Sequence, residues 1–374
     1  MIASPVTTQA DGPESQCWPH KLGVSREHIS TTASVPAQPS DLKRKWAIYT
    51  PGDLRQRCQE LRGGASLIAG LIPNRSLSLF VGDSGLGKSP LLYQAALCVA
   101  SGLPFLGQAV SQGTVLYLDF ENGLGDVDDL TTRLSLHLGL ADRPEHLLLW
   151  NYNDAPPKWE SKQLLDMSRA ARPVWIIIDS LSAYAPEIEE KASNVTRTFQ
   201  EFRKIIRECG IAITVVHHIK KPSTKPAEAP PALEEDPRRW FQQTRGSGAL
   251  VNGSDVRIGI DHFGGASLAE SREIAFVIAG FGRVRGRIPT AFVARKLDED
   301  GEPLGYEALN GASLLFNSQQ EETFDKLPPV FRFKEAQRIY GRGPQATTDF
   351  LKKCINVGIL RKDGRDYRKL GTAE

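Results

Sequence analysis

The stretch GDSGLGKSP at residues 82–90 constrains the fold of this chain more than any other feature of the sequence. It follows the apolar run SLSLFV and precedes the apolar run LLYQAALCVA, so a strand leads in and a helix leads out. Two glycines five positions apart, followed by Lys and a hydroxyl residue, form the pattern of a P-loop in this setting. The pattern predicts an α/β fold with a phosphate site at the helix N-terminus. A Gly-rich turn that matches by chance is the alternative.

Each position of this loop has an expected role toward ATP and Mg²⁺. Lys88 would reach the β- and γ-phosphates, and the Ser89 hydroxyl would ligate Mg²⁺. Pro90 indicates the start of the helix, because first-turn N–H groups have no intrahelical partners and a missing donor there costs the helix little. The predicted nucleotide-binding residues are Gly82, Asp83, Ser84, Gly85, Leu86, Gly87, Lys88, Ser89 and Pro90.

Apolar runs rich in β-branched residues alternate with helical patterns up to about residue 220. This alternation is typical of a mostly parallel sheet that helices cover on both faces. Further strand patterns follow residue 255, and DEDGEPLG predicts a hairpin connection. The predicted strands are VLYLDF, LLLW, VWIIID, IAITVVH, VRIGID, EIAFVIAGF and TAFVARKL.

Composition divides the chain into segments. Residues 1–45 are polar without apolar periodicity, which predicts a disordered tail. The α/β domain spans 46–316, and its proline-rich stretch at 221–244 predicts a mobile loop. Residues 317–326 turn polar and predict a linker.

Residues 327–374 look like a small winged-helix domain, with two helical patterns followed by a β-ribbon. They contain 11 Lys and Arg against 5 Asp and Glu. This basic surplus indicates either a nucleic-acid contact surface or a solvated face on a protein-docking domain.

The chain as a whole lacks membrane signals. No apolar run approaches the length of a membrane span, and the polar start MIASPVTTQADGPESQ has no signal-peptide core. We therefore expect a cytoplasmic protein. The net charge of +2 says little about partners.

Two acidic residues at predicted strand ends lie where the P-loop would need them. Asp179 ends the run VWIIID, where a carboxylate can hold Mg²⁺ beside Ser89. Glu121 lies at the tip of VLYLDFEN, on the sheet edge next to the loop, so it is the candidate that positions the attacking water. Its alternative role is a helix N-terminal charge in the following turn.

Two histidines, His217 and His218, end the strand IAITVVH and its continuation. At that edge His218 would hydrogen-bond the γ-phosphate and report its loss to the segment that follows. The alternative is an ordinary polar side chain that is satisfied within the fold.

These motifs together resemble the RecA-like P-loop ATPases, and among them the RepA-type hexameric replicative helicases and related ATPases of mobile elements. The resemblance runs from about Gly70 to about Leu297. DFEN resembles the strand that ends in the catalytic Glu, IIIDSLSAYAP the Walker B strand, VVHHIKK the sensor strand, and RGSGALVNGSDVRIGI the return from the DNA-binding loop.

The resemblance implies an assembly in which ATP lies between subunits and an arginine arrives from the neighbour. Such an arginine stabilises transition-state charge. Four positions compete for this role, and Arg257 matches the place that the RepA branch uses. They are Arg245, Arg257, Arg283 and Arg285.

The expected function is a hexameric ATPase that translocates on single-stranded DNA, or unwinds duplex, in plasmid- or mobile-element-type replication, with a replication or mobile-element protein as partner. A recombination or repair ATPase that forms filaments shares every core motif. A nucleotide-switched regulator whose basic C-terminal segment binds duplex DNA or a protein is the third hypothesis.

Overall fold

Helix α1 (Pro51–Glu60) is the described part of the first of two units, Met1–Leu61, and the second unit is Arg62–Glu374. The helix begins where the Thr50 hydroxyl donates to Asp53 Oδ2 at 2.8 Å. The predicted tail at 1–45 lies outside the described residues. The computed structural model describes residues 50–60, 66–154, 161–220, 230–263, 274–283, 286–309, 316–356 and 359–370.

Between residues 66 and 309 the second unit contains eleven described β-strands. They are β1 (Ser66–Ile68), β2 (Ile72–Pro73), β3 (Leu77–Gly82), β4 (Val115–Asp119), β5 (Leu147–Asn151), β6 (Trp175–Asp179), β7 (Ala212–His218), β8 (Val256–His262), β9 (Ile274–Gly282), β10 (Gly286–Leu297) and β11 (Pro303–Leu309). In the described part of the chain, β3–β11 form one nine-stranded sheet in the order β11-β10-β9-β8-β3-β7-β6-β4-β5. From β8 to β5 all neighbours pair in parallel, whereas β9, β10 and β11 continue the sheet antiparallel.

Helices cover both faces of this sheet, which confirms the predicted fold class. They are α2 (Lys88–Ser101), α3 (Leu124–His137), α4 (Ser161–Ala171), α5 (Leu181–Tyr184), α6 (Ala192–Cys209), α7 (Pro237–Trp240) and α8 (Ala249–Gly253). Every run predicted as a strand forms one, and DEDGEPLG connects β10 to β11. Among the described helices none has both the length and the apolar character that a membrane crossing requires.

Two apolar layers, one on each face, explain why the parallel strands are apolar without interruption. In β3 the side chains of Leu79 and Val81 join one layer and Phe80 joins the other, because successive strand residues point to opposite faces. Helices α2 and α3 complete the layer of Phe80, and α4 and α6 complete the other. Each fully buried aliphatic or aromatic side chain contributes about 1.5–3 kcal/mol.

The antiparallel edge of the sheet contacts the helix that follows the P-loop. The Gln94 amide of α2 donates to the Tyr306 carbonyl of β11 at 2.8 Å and accepts from its N–H at 2.7 Å. His137, at the end of α3, packs against the backbone of Gly305. Helix α2 therefore contacts both the parallel strands and β11. All of residues 91–100 are buried.

The stretch predicted as a mobile loop, 221–244, differs from that prediction over 230–244. There the Asp236 side chain accepts from the Arg239 N–H at 3.1 Å and begins helix α7. Trp240 and Phe241 are buried in the apolar layer of α6. The proline-rich composition predicted an irregular backbone. Burial of these two aromatic side chains instead requires one defined backbone conformation. Residues 221–229 lie outside the described residues.

The C-terminal segment has a core of its own and begins earlier than predicted. Residues 317–326, predicted as a linker, instead form helix α9, because Asn317 and Gln320 make a reciprocal capping box. Phe316 and Leu327 at its two ends join the C-terminal core around Phe350. The elements are α9 (Ser318–Lys326), β12 (Val330–Arg332), α10 (Phe333–Tyr340), α11 (Pro344–Asn356), β13 (Leu360–Asp363) and β14 (Asp366–Lys369).

The three C-terminal strands pair antiparallel in the order β12-β14-β13. The two predicted helical patterns and the predicted β-ribbon are thus present in the predicted order. The winged-helix interpretation of this arrangement stays a prediction.

Candidate active site

The loop between β3 and α2 has the backbone that its glycines predict. A Cβ at Gly82 would lie 2.7 Å from Ile260 Cγ2 and 2.9 Å from the Ile260 carbonyl, so β8 packs directly against this position. Gly87 has φ +91°, which side chains rarely adopt. Asp83 and Ser84 are exposed, and the Ser84 N–H donates to Asp83 Oδ1 at 2.8 Å. The remaining loop residues are Gly85, which is exposed with φ +76°, and Leu86, which is buried.

Lys88, the first residue of α2, points back into this loop. Its Nζ donates to the Asp83 carbonyl at 2.6 Å and lies 3.4 Å from His218 Nδ1. Burial lowers the pKa of Lys88, and the nearby carboxylates of Asp179 and Glu121 oppose that shift. The ammonium group is therefore held inside the phosphate cradle among negative partners.

Asp179 and Ser89 have the chemistry of a magnesium site. Asp179 ends β6 with 2% exposure, and it accepts hydrogen bonds from the Ser89 side chain and from Tyr117 Oη, the latter at 2.7 Å. Burial raises the pKa of this carboxyl to about 6. Carboxylate and hydroxyl oxygens suit the hard Mg²⁺ ion, so these two side chains fit the predicted ligand pair.

Asp119, at the end of β4, holds the turn that carries Glu121. Its Oδ1 accepts from the Glu121 N–H at 3.0 Å and from the Asn122 N–H at 2.8 Å, and its Oδ2 accepts from Tyr93 Oη at 2.7 Å. The rings of Tyr93 and Tyr117 stack with centroids 3.9 Å apart. Asp119 thus has a positioning role that sequence reasoning missed. A buried tyrosine one turn after the P-loop was the available signal, because its hydroxyl needs a partner.

Glu121 faces the same pocket as Lys88. Its side chain is 42% exposed, accepts a hydrogen bond from the Ser180 hydroxyl, and places Oε1 3.6 Å from His218 Nε2. The nearby His218 is the main cause that lowers the pKa of Glu121, and the hydrogen bond from Ser180 adds to it. The structure therefore brings together Lys88, Glu121 and His218, as the strand-end positions predict.

His217 points away from the pocket, into a buried polar network. Its Nε2 donates to the Arg245 carbonyl at 2.9 Å, and its Nδ1 lies 3.3 Å from Ser182 Oγ. The Ser182 hydroxyl donates to Glu189 at 2.7 Å, and Glu189 forms an ion pair with Arg245, also at 2.7 Å. Burial lowers the pKa of His217. The two neighbouring histidines thus connect the pocket to the segment around Arg245.

The four candidate trans-acting arginines have different environments. Arg257 is 4% exposed, donates to the Val251 carbonyl, and lies over the Phe281 ring with 5.3 Å to the centroid. Burial lowers its pKa to about 10. The Arg257 side chain is thus used inside its own subunit, and its role toward a neighbour stays a prediction.

Two of the other three candidate arginines, Arg283 and Arg245, are described by the structure. Arg283 is exposed at the end of β9 and donates to the Asn252 carbonyl. Arg245 is exposed but paired with Glu189. Arg285 lies outside the described residues.

Two residues that sequence reasoning did not identify lie beside the P-loop. Tyr306 Oη donates to the Gly87 carbonyl at 3.1 Å, and a Cβ at Gly87 would lie 3.2 Å from Arg295 Nη1. Both belong to the β10–β11 hairpin, and no local signal in the sequence connects them to the loop.

Comparison with known proteins gives one family match and similar solved structures. Residues 52–224 match the family model of an AAA domain, a span that contains the P-loop, Glu121, Asp179 and His218. No curated protein matches the chain. The crystal structure of the RadB recombinase is similar at 16% identity and a TM-score of 0.42, over 63% of this chain and 92% of that one. A KaiC-like protein from the archaeon Pyrococcus horikoshii is similar at 14% identity and a TM-score of 0.44, over 66% and 96%. At these TM-scores the two structures support no inference about function.

Proposed function

We propose that this chain is a RecA-like P-loop ATPase, which binds ATP at residues 82–90 and hydrolyses it with Glu121 as the residue that positions water. The proposal rests on the short distances between three side chains in one pocket. Lys88 Nζ lies 3.4 Å from His218, and His218 lies 3.6 Å from Glu121. A P-loop lysine, a carboxylate and an imidazole are thus close enough together to meet one terminal phosphate.

The residues of the pocket divide the chemistry between them. Lys88 and the free N–H groups at the start of α2 stabilise negative charge on the phosphates. Glu121 stays ionised because its pKa is lowered, and Ser180 fixes its orientation, so it can hold a water in line with the γ-phosphate. Ser89 and Asp179 would hold Mg²⁺, which neutralises charge on the phosphates when it is bound.

His218 and the segment after β7 provide a route from nucleotide state to a binding surface. The His218 carbonyl accepts from the Arg245 N–H at 3.0 Å, and the Lys220 N–H donates to the Gln243 carbonyl at 2.8 Å. A shift of His218 on loss of the γ-phosphate would therefore move the strand end and the backbone around Arg245 together. Among the described residues of this segment, the exposed cations are Lys220, Arg238, Arg239 and Arg245.

We propose single-stranded DNA as the partner of these cations, although the acidic residues Glu234, Glu235 and Asp236 in the same stretch make it a weaker candidate than a purely basic loop. Lys and Arg side chains neutralise phosphates, and the ring or filament implied by the resemblance would align these side chains along a strand. We propose a hexameric ring that acts as a DNA translocase or helicase. A filament-forming recombination ATPase uses the same site chemistry, and electron micrographs with DNA and an ATP analogue distinguish the two.

The C-terminal segment is proposed to be a winged-helix-like contact module. Exposed Lys and Arg side chains dominate its surface, including Lys352 and Lys353 on α11 and Arg361, Lys362 and Arg365 near the β13–β14 turn. It would bind duplex DNA or dock on an acidic replication or mobile-element protein. If the segment binds a specific duplex while hydrolysis stays slow, the regulator hypothesis replaces the motor.

Turnover with and without single-stranded DNA tests the main proposal. We expect ATP hydrolysis that single-stranded DNA stimulates at low salt and that weakens as salt rises, because phosphate contacts release counterions. Lys88→Ala is the matched inactive control. An ATPase rate that does not change across DNA concentrations would contradict the motor, and no hydrolysis under any condition would contradict the enzyme.

Arg283 is proposed as the arginine that acts in the neighbouring subunit. Rings of Arg283→Ala alone or Glu121→Gln alone should be nearly inactive. A mixture should regain activity, because some interfaces combine an intact Glu121 with an intact Arg283 from the neighbour. Lack of any gain on mixing, with assembly intact, would assign the role elsewhere.

A further inference from the structure

Pro90 leaves the phosphate cradle one donor short. Helix α2 begins at Lys88, and its first intrahelical bond runs from the Leu91 N–H to the Gly87 carbonyl at 3.2 Å. The N–H groups of residues 88 and 89 are therefore free to bind an anion, but proline at position 90 has none. The loss costs the helix little, whereas it costs an anion site one of three first-turn donors.

The β10–β11 hairpin places a cation beside this gap. Arg295 and Tyr306 are directly opposite each other in the register of the two strands. The guanidinium hydrogen-bonds the Tyr306 hydroxyl, which in turn donates to the Gly87 carbonyl at 3.1 Å. The two hydrogen bonds between Gln94 and the Tyr306 backbone fix the hairpin against α2. Arg295 thus lies next to the N-terminus of α2 in a defined position.

The guanidinium of Arg295 is only partly used by the protein. Among the described residues no carboxylate lies within ion-pair distance, and the buried Nε has no hydrogen-bond partner. Its other contact is the Phe276 ring, at 5.4 Å from Cζ to centroid. The residue as a whole is only partly buried, and its Nη1 lies on the side of Gly87. A phosphate beside Nη1 would give the guanidinium the anionic partner that it lacks among the described residues.

The order of the strands indicates which phosphate of a bound nucleotide would lie nearest to Arg295. Strands β7, β6 and β4, which carry His218, Asp179 and the turn to Glu121, lie on one side of β3. Strands β8–β11, and Arg295 with them, lie on the other side. A phosphate chain whose γ-phosphate meets Glu121 and His218 must run across the start of α2 toward the opposite side, so the phosphate next to the nucleoside approaches Arg295.

We infer that Arg295 is a further nucleotide-binding residue, which donates in cis to the phosphate next to the nucleoside and replaces the N–H that Pro90 lacks. The inference rests on the proposed binding of ATP to this P-loop. Because the contact is the same for ATP and ADP, it contributes to binding of both rather than to the chemical step.

Nucleotide affinity in a four-protein cycle tests this inference. The proteins are the unmodified chain, Arg295→Gln, Pro90→Ala and the double variant, each measured with fluorescent ATP and ADP. Arg295→Gln should weaken both ligands by a similar factor of about 10- to 100-fold, as expected for a charged hydrogen bond, with kcat at saturation almost unchanged. Pro90→Ala restores a backbone donor and should recover most of that loss in the double variant.

The rescue separates ligand contact from a merely structural role. If Arg295 only packs the hairpin, Pro90→Ala should raise affinity by the same factor with Arg295 present or absent, so additive effects in the cycle overturn the inference. The inference requires a larger gain in the Arg295→Gln background. Unchanged affinities in Arg295→Gln also overturn it, while ATP binding by the unmodified chain keeps the proposed function intact. Absence of nucleotide binding in the unmodified chain overturns both. Lys296→Gln, one position along the same strand, is the matched control and should bind normally.

Discussion

The two sides of the P-loop helix differ in how far the protein satisfies its own polar groups. On the side of β4 and β6, the carboxylates of Asp119 and Asp179 accept several hydrogen bonds within the chain. On the side of β10 and β11, the Arg295 Nε is buried without a partner among the described residues. The first side is organised within the chain itself, whereas we propose that a bound nucleotide completes the second. Hydrolysis should therefore depend on the first side, and affinity on the second.

The largest expected effect is on hydrolysis and concerns Glu121. Glu121→Gln should lower the rate of the chemical step by about 10²- to 10⁴-fold, because an amide cannot accept a proton from water. ATP affinity should change little, since Glu121 lies at the terminal phosphate only. Single-turnover hydrolysis and equilibrium binding measure the two quantities. Glu145→Gln, in an exposed turn, is the control, and a Glu121→Gln protein with full activity would name a different base.

The next prediction tests whether the polar groups on the side of β4 and β6 are organised before ligand binds. Asp119→Ala removes the acceptor of four backbone and side-chain donors and should lower the free energy of unfolding by about 2–4 kcal/mol. Denaturant unfolding without nucleotide measures it. Tyr93→Phe should cost less, since only one hydrogen bond is lost. A stability unchanged by Asp119→Ala would mean that this turn is not organised before ligand binds.

The pH dependence of stability follows from the buried carboxyl of Asp179. Its pKa is raised from 3.8 to about 6, so the folded protein holds this proton more tightly than the unfolded chain. The resulting stability is present below pH 3.8 and is lost as pH rises through about 6. The size of this contribution is at most about 3 kcal/mol.

Asp179→Asn isolates this contribution. The difference in unfolding free energy between the variant and the unmodified chain should grow between pH 4 and pH 6 in favour of the variant, measured without Mg²⁺ or nucleotide. A difference that is flat with pH would contradict the raised pKa.

The smallest expected effect lies on the second side. Tyr306→Phe removes the hydrogen bond to the Gly87 carbonyl and should lower the unfolding free energy by about 1 kcal/mol. It should also weaken nucleotide binding slightly, since the hairpin holds Arg295 less firmly, while the hydrolysis step stays intact. Thermal unfolding with and without ADP measures both. A larger loss without ADP than with it would indicate that ligand replaces the missing restraint.

Local patterns were sufficient for much of the fold and for one side of the site. The strands were predictable because burial on both faces demands continuous apolar runs, as in VWIIID. Lys88, Glu121, Asp179 and His218 were predictable as neighbours because carboxyl ends of parallel strands meet at one edge. The helix at 318–326 was not, since its polar composition concealed a capping box that only the Phe316 and Leu327 contacts make worthwhile.

Arg257 and Tyr306 show where the sequence is insufficient. Both depend on contacts between distant segments: Arg257 is buried under Phe281, and Tyr306 reaches Gly87 from 219 residues away. The sequence around either residue does not indicate which distant segment its side chain contacts.

The amino-acid sequence alone determined that a phosphate cradle would stand at the edge of a parallel sheet, because glycine placement, apolar runs and strand-end acids act through local geometry. Only the tertiary structure decided that β10 and β11 lie against α2 and bring Arg295 beside a proline that lacks a donor. That arrangement depends on the free energy of burying one whole layer against another, which no short stretch of the chain contains.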